Sequence, residues 1–307
     1  MIAELPGPIG QPLTPEEIVR EVKHLPSAPK VLPRLKQLLG DGNSSMDEIV
    51  ALIRLDPGIA VRVLQASNSA YFSKGVRCFT VDEAVNRVGY DQVYELVSYA
   101  VASQVLVRPL EVYGLEADEL WKRSVAGALA AEEIAARSHQ DCNAAYTVGL
   151  LHSVGMVAID EWALRNDREL RLTHTGYPRE ASEGERARFG FTQAQVGGAL
   201  LRDWDFPASI TEPVRWQYSP RSSASQAKLA VTLHLAKWVR TAVCSPATEM
   251  PPPDPLYLQQ ISVTRANLTA IAAEVSRRIA AVSSMLDAHP QDPSSRVASL
   301  TEHGGMI

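Results

Sequence analysis

His152 is the side chain in this sequence whose type and setting most directly suggest chemistry. It lies in the middle of the apolar segment Gly149-Leu150-Leu151-His152-Ser153-Val154-Gly155. An imidazole there can bind a metal, move a proton, or hydrogen-bond a buried backbone group. For a lone histidine on an apolar helix, the last role is the ordinary one. His234 is a second candidate. It stands three residues before Lys237, so the two share a helix face. Other familiar chemistry is missing from the sequence. There is no GxxxxGK[ST] phosphate loop, no GxSxG elbow and no HExxH zinc helix. Cys78, Cys142 and Cys244 are far apart and odd in number, so they form neither a disulfide framework nor a CxxC knuckle.

Composition narrows the classes further. The chain has 307 residues, 46% hydrophobic and 21% charged, with a formal net charge of -5. That is ordinary globular composition, long enough for one large domain or two small ones. The acidic balance argues against a nucleic-acid partner, which usually meets a basic surface. Aromatic residues are 6% of the chain, too few to suggest base-stacking platforms. Met1–Gln11 does not read as a signal peptide, and no apolar run reads as long enough to span a bilayer. The expectation is a cytoplasmic protein with no membrane partner.

The elements that must position these residues read as helices throughout. Residues 1–13 form a Pro- and Gly-containing leader. Thr14-Pro15-Glu16-Glu17 is a capping box that opens a helix expected to end near His24. Lys30–Leu39 has an apolar face at helical spacing. Ser45-Met46-Asp47-Glu48 and Thr80-Val81-Asp82-Glu83 are further capping boxes, and Asp56 before Pro57 is a helix N-cap candidate. Tyr90–Val107, Ala117–Ser138, Ala145–Trp162, Thr192–Asp203, Ile210–Trp216 and Gln226–Val243 read as helices, with Ser182-Glu183-Gly184-Glu185 capping a short one. Gly149 and Gly155 predict close helix approach. Residues 246–258 are a Pro-rich linker. Thr264–Leu286, within a helical segment 259–286, is amphipathic and expected to dock on the core, and 287–307 reads as a disordered tail. With no convincing strand, the fold class is all-α.

In this order and spacing the motifs resemble one family. Leu25-Pro26-x-x-Pro29, Asp56-Pro57, Asn68-Ser69-Ala70, Ala84-x-x-x-x-Gly89, Leu120-Trp121-x-x-Ser124, Gly149–Gly155 and Leu200-Leu201-x-x-Trp204-x-x-Pro207 are similar to the HDOD domain. This is the HD-related output domain of bacterial signalling proteins, a degenerate relative of the HD and HD-GYP phosphohydrolases. The resemblance implies a multi-helix HD-like bundle over residues 14–245 with a C-terminal helical extension. Taken alone, the N-terminal motifs read as fold determinants: Asn68 and Ser69 suit backbone groups at a turn.

The resemblance also implies where an HD metal centre would be. In the HD family, histidines and carboxylates from several helices converge on divalent metals that activate water. On this sequence the positions read Arg123 after Trp121-Lys122, His152-Ser153 for the His-Asp pair, Gln193 after Gly190-Phe191-Thr192, Gln217-Tyr218, and Lys237 after His234-Leu235-Ala236. Arginine has no lone pair to give, a serine hydroxyl is a poor stand-in for a carboxylate, and lysine repels a metal unless deprotonated. The expectation is no catalytic residue, no metal and no cofactor. The implied function is a non-catalytic signalling module that binds protein partners, connected with cyclic di-GMP or two-component pathways. The alternatives are a divergent phosphohydrolase using His152 and His234, and a nucleotide-binding sensor without turnover. Arg123, Lys237 and His234 are candidates for an anion site, although Lys and Arg more often lie solvated on helix surfaces.

Overall fold

The computed structural model describes residues 13–22, 44–68, 76–89, 109–172, 178–245 and 250–287, with positions 31, 35, 38 and 93 in addition. The readings made for residues 1–12, Leu25–Pro29, Ser69–Tyr71, most of Tyr90–Val107 and the tail from 288 lie outside the described residues. The described residues are all-α, apart from short 3-10 turns and an isolated bridge between Leu110 and Leu115.

Helix α1 (Pro15–Val19) and α2 (Met46–Arg54) start at complete capping boxes on Thr14 and Ser45. α1 stops well before His24, because Glu21 and Val22 donate to Ile18 and Val19 carbonyls in tight i→i−3 turns. In α3 (Pro57–Asn68), Asp56 Oδ1 accepts from Ile59 N at 3.0 Å, the cap read from the Asp-Pro pair. The Asn68 side chain then exchanges two 2.7 Å hydrogen bonds with the backbone of Cys78, closing the loop into α4 (Val81–Val88). Thr80 caps α4, but Glu83 reaches back to Phe79 N instead of to the cap residue, so the third box is only half formed.

The centre of the bundle is α5 (Ala117–Arg137), which packs against α6 (Cys142–Leu151) and α11 (Ala227–Cys244). Its Ala-rich inner face lets neighbours approach closely. Where α5 and α6 cross, a methyl group on Gly149 would strike Gly127 O and Ala128 Cα. Between α7 (Val154–Asn166) and α9 (Gln193–Asp203), one on Gly155 would strike Gln193 O. Both glycines therefore serve the close approach their placement predicted.

Several boundaries differ from the sequence reading. The expected single helix Ala145–Trp162 is two helices, α6 and α7, separated at His152-Ser153. Ser182 does not cap a helix: α8 runs Pro178–Phe189, with Ser182 inside it. Helix α10 spans Ala208–Arg215 and crosses α9 and α11. Within the segment read as a linker, Asp254 caps a short helix α12 (Pro255–Gln260), and the three prolines just before it lie outside any helix. By length and composition, residues 142–166 are apolar enough to cross a membrane, contrary to the sequence reading. However, 89% of their apolar window is buried inside the fold, which accounts for the apolar character.

Helix α13 (Arg265–Asp287) docks back onto α5 and α11. Leu268, Ile271, Val275 and Ile279, spaced three or four residues apart, are buried against the core. Arg278 pairs with Glu132 and Glu133 of α5 at 3.0 and 3.2 Å.

Candidate functional site

The break between α6 and α7 places His152 at the centre of the bundle, fully buried. Its Nδ1 lies 2.6 Å from Gly149 O and its Nε2 lies 2.9 Å from Arg240 Nη1. A guanidinium only donates, so Nε2 is the acceptor and Nδ1–H donates to the carbonyl. The ring is thereby held as one neutral tautomer. Burial, then the positive charges of Arg240 and Lys237, hold its pKa well below the usual imidazole range.

Gln217 ties this centre to α11. It is buried past the end of α10, and its Nε2 donates to His152 O at 2.9 Å and to Val214 O at 2.8 Å. Its Oε1 accepts from Lys237 Nζ at 2.7 Å. Lys237 is 2% exposed, and its ammonium also sits 3.5 Å from the centroid of the Tyr218 ring. Burial, and then the neighbouring Arg240, push the Lys237 pKa well below the usual value. His234 faces the other side of the same residue: its Nδ1 is 2.9 Å from Gln217 O, and its ring meets Tyr257 edge-on. Burial takes its pKa down to about 4.

A second layer comes from α8 and α9. Gln193 Nε2 donates to Tyr218 Oη at 3.1 Å, and Gln193 N donates to Glu185 Oε2 at 2.7 Å. Tyr113 Oη donates to the other oxygen of Glu185 at 2.9 Å. Burial raises the Glu185 pKa to about 7 against these stabilising hydrogen bonds. Arg123 on α5 is buried as well, with Nε 3.5 Å from Glu119 Oε1. Burial lowers its pKa. Ser153 is buried at the head of α7, where its side chain makes no capping bond.

Sequence reasoning therefore named residues that the fold does bring together: His152, Gln193, Gln217, Tyr218, Lys237 and Arg123. It expected Arg123 and Lys237 on solvated helix surfaces, and the structure buries both. It also grouped His234 with these cations, whereas the imidazole Nδ1 is engaged by the Gln217 carbonyl. The residues it missed are Arg240 and the pair Tyr113–Glu185. Arg240 had a readable signal, since it follows Lys237 by three residues in an otherwise apolar helix and so shares its face. Glu185 was assigned to a cap and carried no signal of burial.

The arrangement does not fit a hard divalent cation. The one acceptor nitrogen of His152 is filled by Arg240, and the groups around it are amides, a phenol and cations. Among the described residues no three His, Cys, Asp or Glu side chains form a group that could hold a metal ion.

The class that the fold defines is an all-α helical bundle, here with a buried imidazole at a helix break. Within that class the chain belongs to the HDOD domain family, whose model matches residues 25–220, more than half of its length. A curated relative, described as an uncharacterized protein of Treponema pallidum (strain Nichols), is 24% identical over 206 residues. That match covers 66% of this chain and 39% of the relative, so the chain spans well under half of the relative's length. Among solved structures, the MmoQ response regulator from Methylococcus capsulatus str. Bath is similar at a TM-score of 0.66 and 20% identity, over 82% of this chain and 99% of that one. A virulence factor from Campylobacter jejuni is similar at 0.63 and 16% identity, over 86% and 96% of the two chains. At these identities the likeness is one of fold.

Proposed function

We propose that this protein is a non-catalytic bacterial signalling module, a helical scaffold that acts by binding a protein partner. The observation that carries this reading is the state of His152. His152, at the place of the His-Asp pair's histidine in an HD hydrolase, has both ring nitrogens committed, one to Gly149 O and one to Arg240. A nitrogen that accepts from a guanidinium cannot also hold a metal or take a proton from water. Lys237 and Arg123, at two further positions of that centre, add positive charge where a metal would need ligands. His234, the other imidazole a reduced site would use, has its Nδ1 against a backbone carbonyl.

Membership of the HDOD family supports the signalling role, as does a fold shared with a protein described as a response regulator. The scaffold would present its surface to a partner. The test is metal content of the purified protein together with phosphodiesterase turnover on cyclic di-GMP in added manganese. Neither bound metal nor turnover is expected. Stoichiometric metal with turnover would overturn the proposal.

A further inference from the structure

The centre of the bundle holds more positive charge than the fold itself balances. Lys237 and Arg240 are both buried, and among the described residues neither has a carboxylate within ion-pair distance. Lys237 makes one hydrogen bond, to a neutral amide oxygen, and leans on a phenol ring. Arg240 donates to a neutral imidazole and to Thr241 Oγ1, while its Nε is buried with no partner. Arg123 approaches the same cluster from α5, with Glu119 at 3.5 Å as an ion-pair partner whose side chain is 41% exposed. The carboxylate nearest in effect, Glu185, already accepts two hydrogen bonds from elsewhere. Isolated buried charge is strongly unfavourable. A lysine can escape by losing its proton, but an arginine cannot. The fold therefore retains buried donors aimed at no anion of its own.

We propose that Lys237, Arg240 and Arg123 form a binding site for a small tetrahedral oxyanion, namely phosphate or the phosphoryl group of a small molecule. Arginine supplies planar paired donors and lysine a compact charge, the two complements that phosphoryl oxygens accept. Gln193 Oε1, buried without a partner beside Tyr218, suits the proton of a singly protonated phosphate. Of the residues around the cluster, Tyr218 and Cys244 are half-buried, and Glu119 can give up Arg123 to the incoming anion. This site goes beyond the partner-binding reading and is tested without any partner.

The experiment is thermal unfolding of the full chain in sodium phosphate against sodium chloride at matched ionic strength, for the wild type and for Lys237→Met. Phosphate stabilises proteins generally by exclusion from their surfaces, so the reading is the saturable difference between the two proteins. At tenfold excess over Kd the wild type should gain about 2–3 °C. Lys237→Met, which removes a buried charge and is expected to fold, should bind phosphate about tenfold more weakly or worse. A parallel titration with adenosine monophosphate separates two sources of the same group. An equal response means the phosphate alone is read, a stronger one that the attached group adds contacts, and both support the site. The absence of a saturable shift in the wild type, or an undiminished shift in Lys237→Met, would overturn it.

Discussion

Arg240 and His152 form the pairing on which the interior of this protein depends. Arg240 Nη1 donates to His152 Nε2 at 2.9 Å and so decides which imidazole nitrogen carries the proton. The relationship makes a spectroscopic prediction. In the wild type, nitrogen-detected NMR should find His152 neutral, protonated on Nδ1, through the range in which a free histidine titrates. Arg240→Met removes the guanidinium and its repulsion, so the pKa of His152 should rise in the variant, though burial keeps it low. A wild-type His152 that titrates near 6.5 would refute the assignment.

The two close helix crossings predict a large steric effect from a small change. Gly149→Ala would set a methyl group against Gly127 O and the Ala128 backbone, neither of which can rotate away. Overpacking of this kind costs about 1–3 kcal/mol, and the upper end is expected because the opposing atoms are main chain. Urea unfolding should show the midpoint falling with an unchanged slope. Gly155→Ala, facing Gln193 O, should behave in the same way.

These glycines were legible in the sequence because one residue type answers one steric need. The same holds for the boxes at Thr14 and Ser45 and the cap at Asp56, where the signal lies within four residues. The break at His152-Ser153 was not legible. Hydrophobic pattern runs through it unbroken, and only the approach of Gln217 and Arg240 from distant helices gives the turn its partners. The burial of Arg123 and Lys237 was hidden for the same reason. A local sequence shows a charge, but what surrounds the charge is decided by helices more than 80 residues apart along the chain, as between His152 and Arg240.

Helix α13 offers a contrast between two kinds of contact. Ile271 is fully buried at its interface with the bundle, and Arg278 bridges to Glu132 and Glu133 with its side chain 36% exposed. Ile271→Ala should cost about 2–5 kcal/mol through lost burial and the cavity left behind. Arg278→Ala should cost about 1 kcal/mol or less, and less again in high salt, because solvent screens the pair. Equal losses in denaturant titrations would show that the ion pairs, not the apolar stripe, hold the helix.

Glu185 gives the bundle a pH dependence of predictable sign. Its folded pKa of about 7 lies above the ordinary value of 4.5, so the folded state holds this proton more tightly than the unfolded chain does. Its contribution is therefore fully present below about pH 4.5 and is lost as pH rises through about 7. The buried histidines act in the opposite direction. His234, held down to about 4 against an ordinary 6.5, contributes stability that is present above 6.5 and lost as pH falls toward 4. Comparison with Glu185→Gln isolates the carboxyl, since the amide cannot ionise yet keeps an oxygen to accept from Tyr113 or Gln193. The variant should gain on the wild type as pH rises from 5 to 8, with a total swing of about 3 kcal/mol. Unfolding free energies at the two pH values measure it, and a constant difference between the proteins would mean that Glu185 does not change its charge in this range.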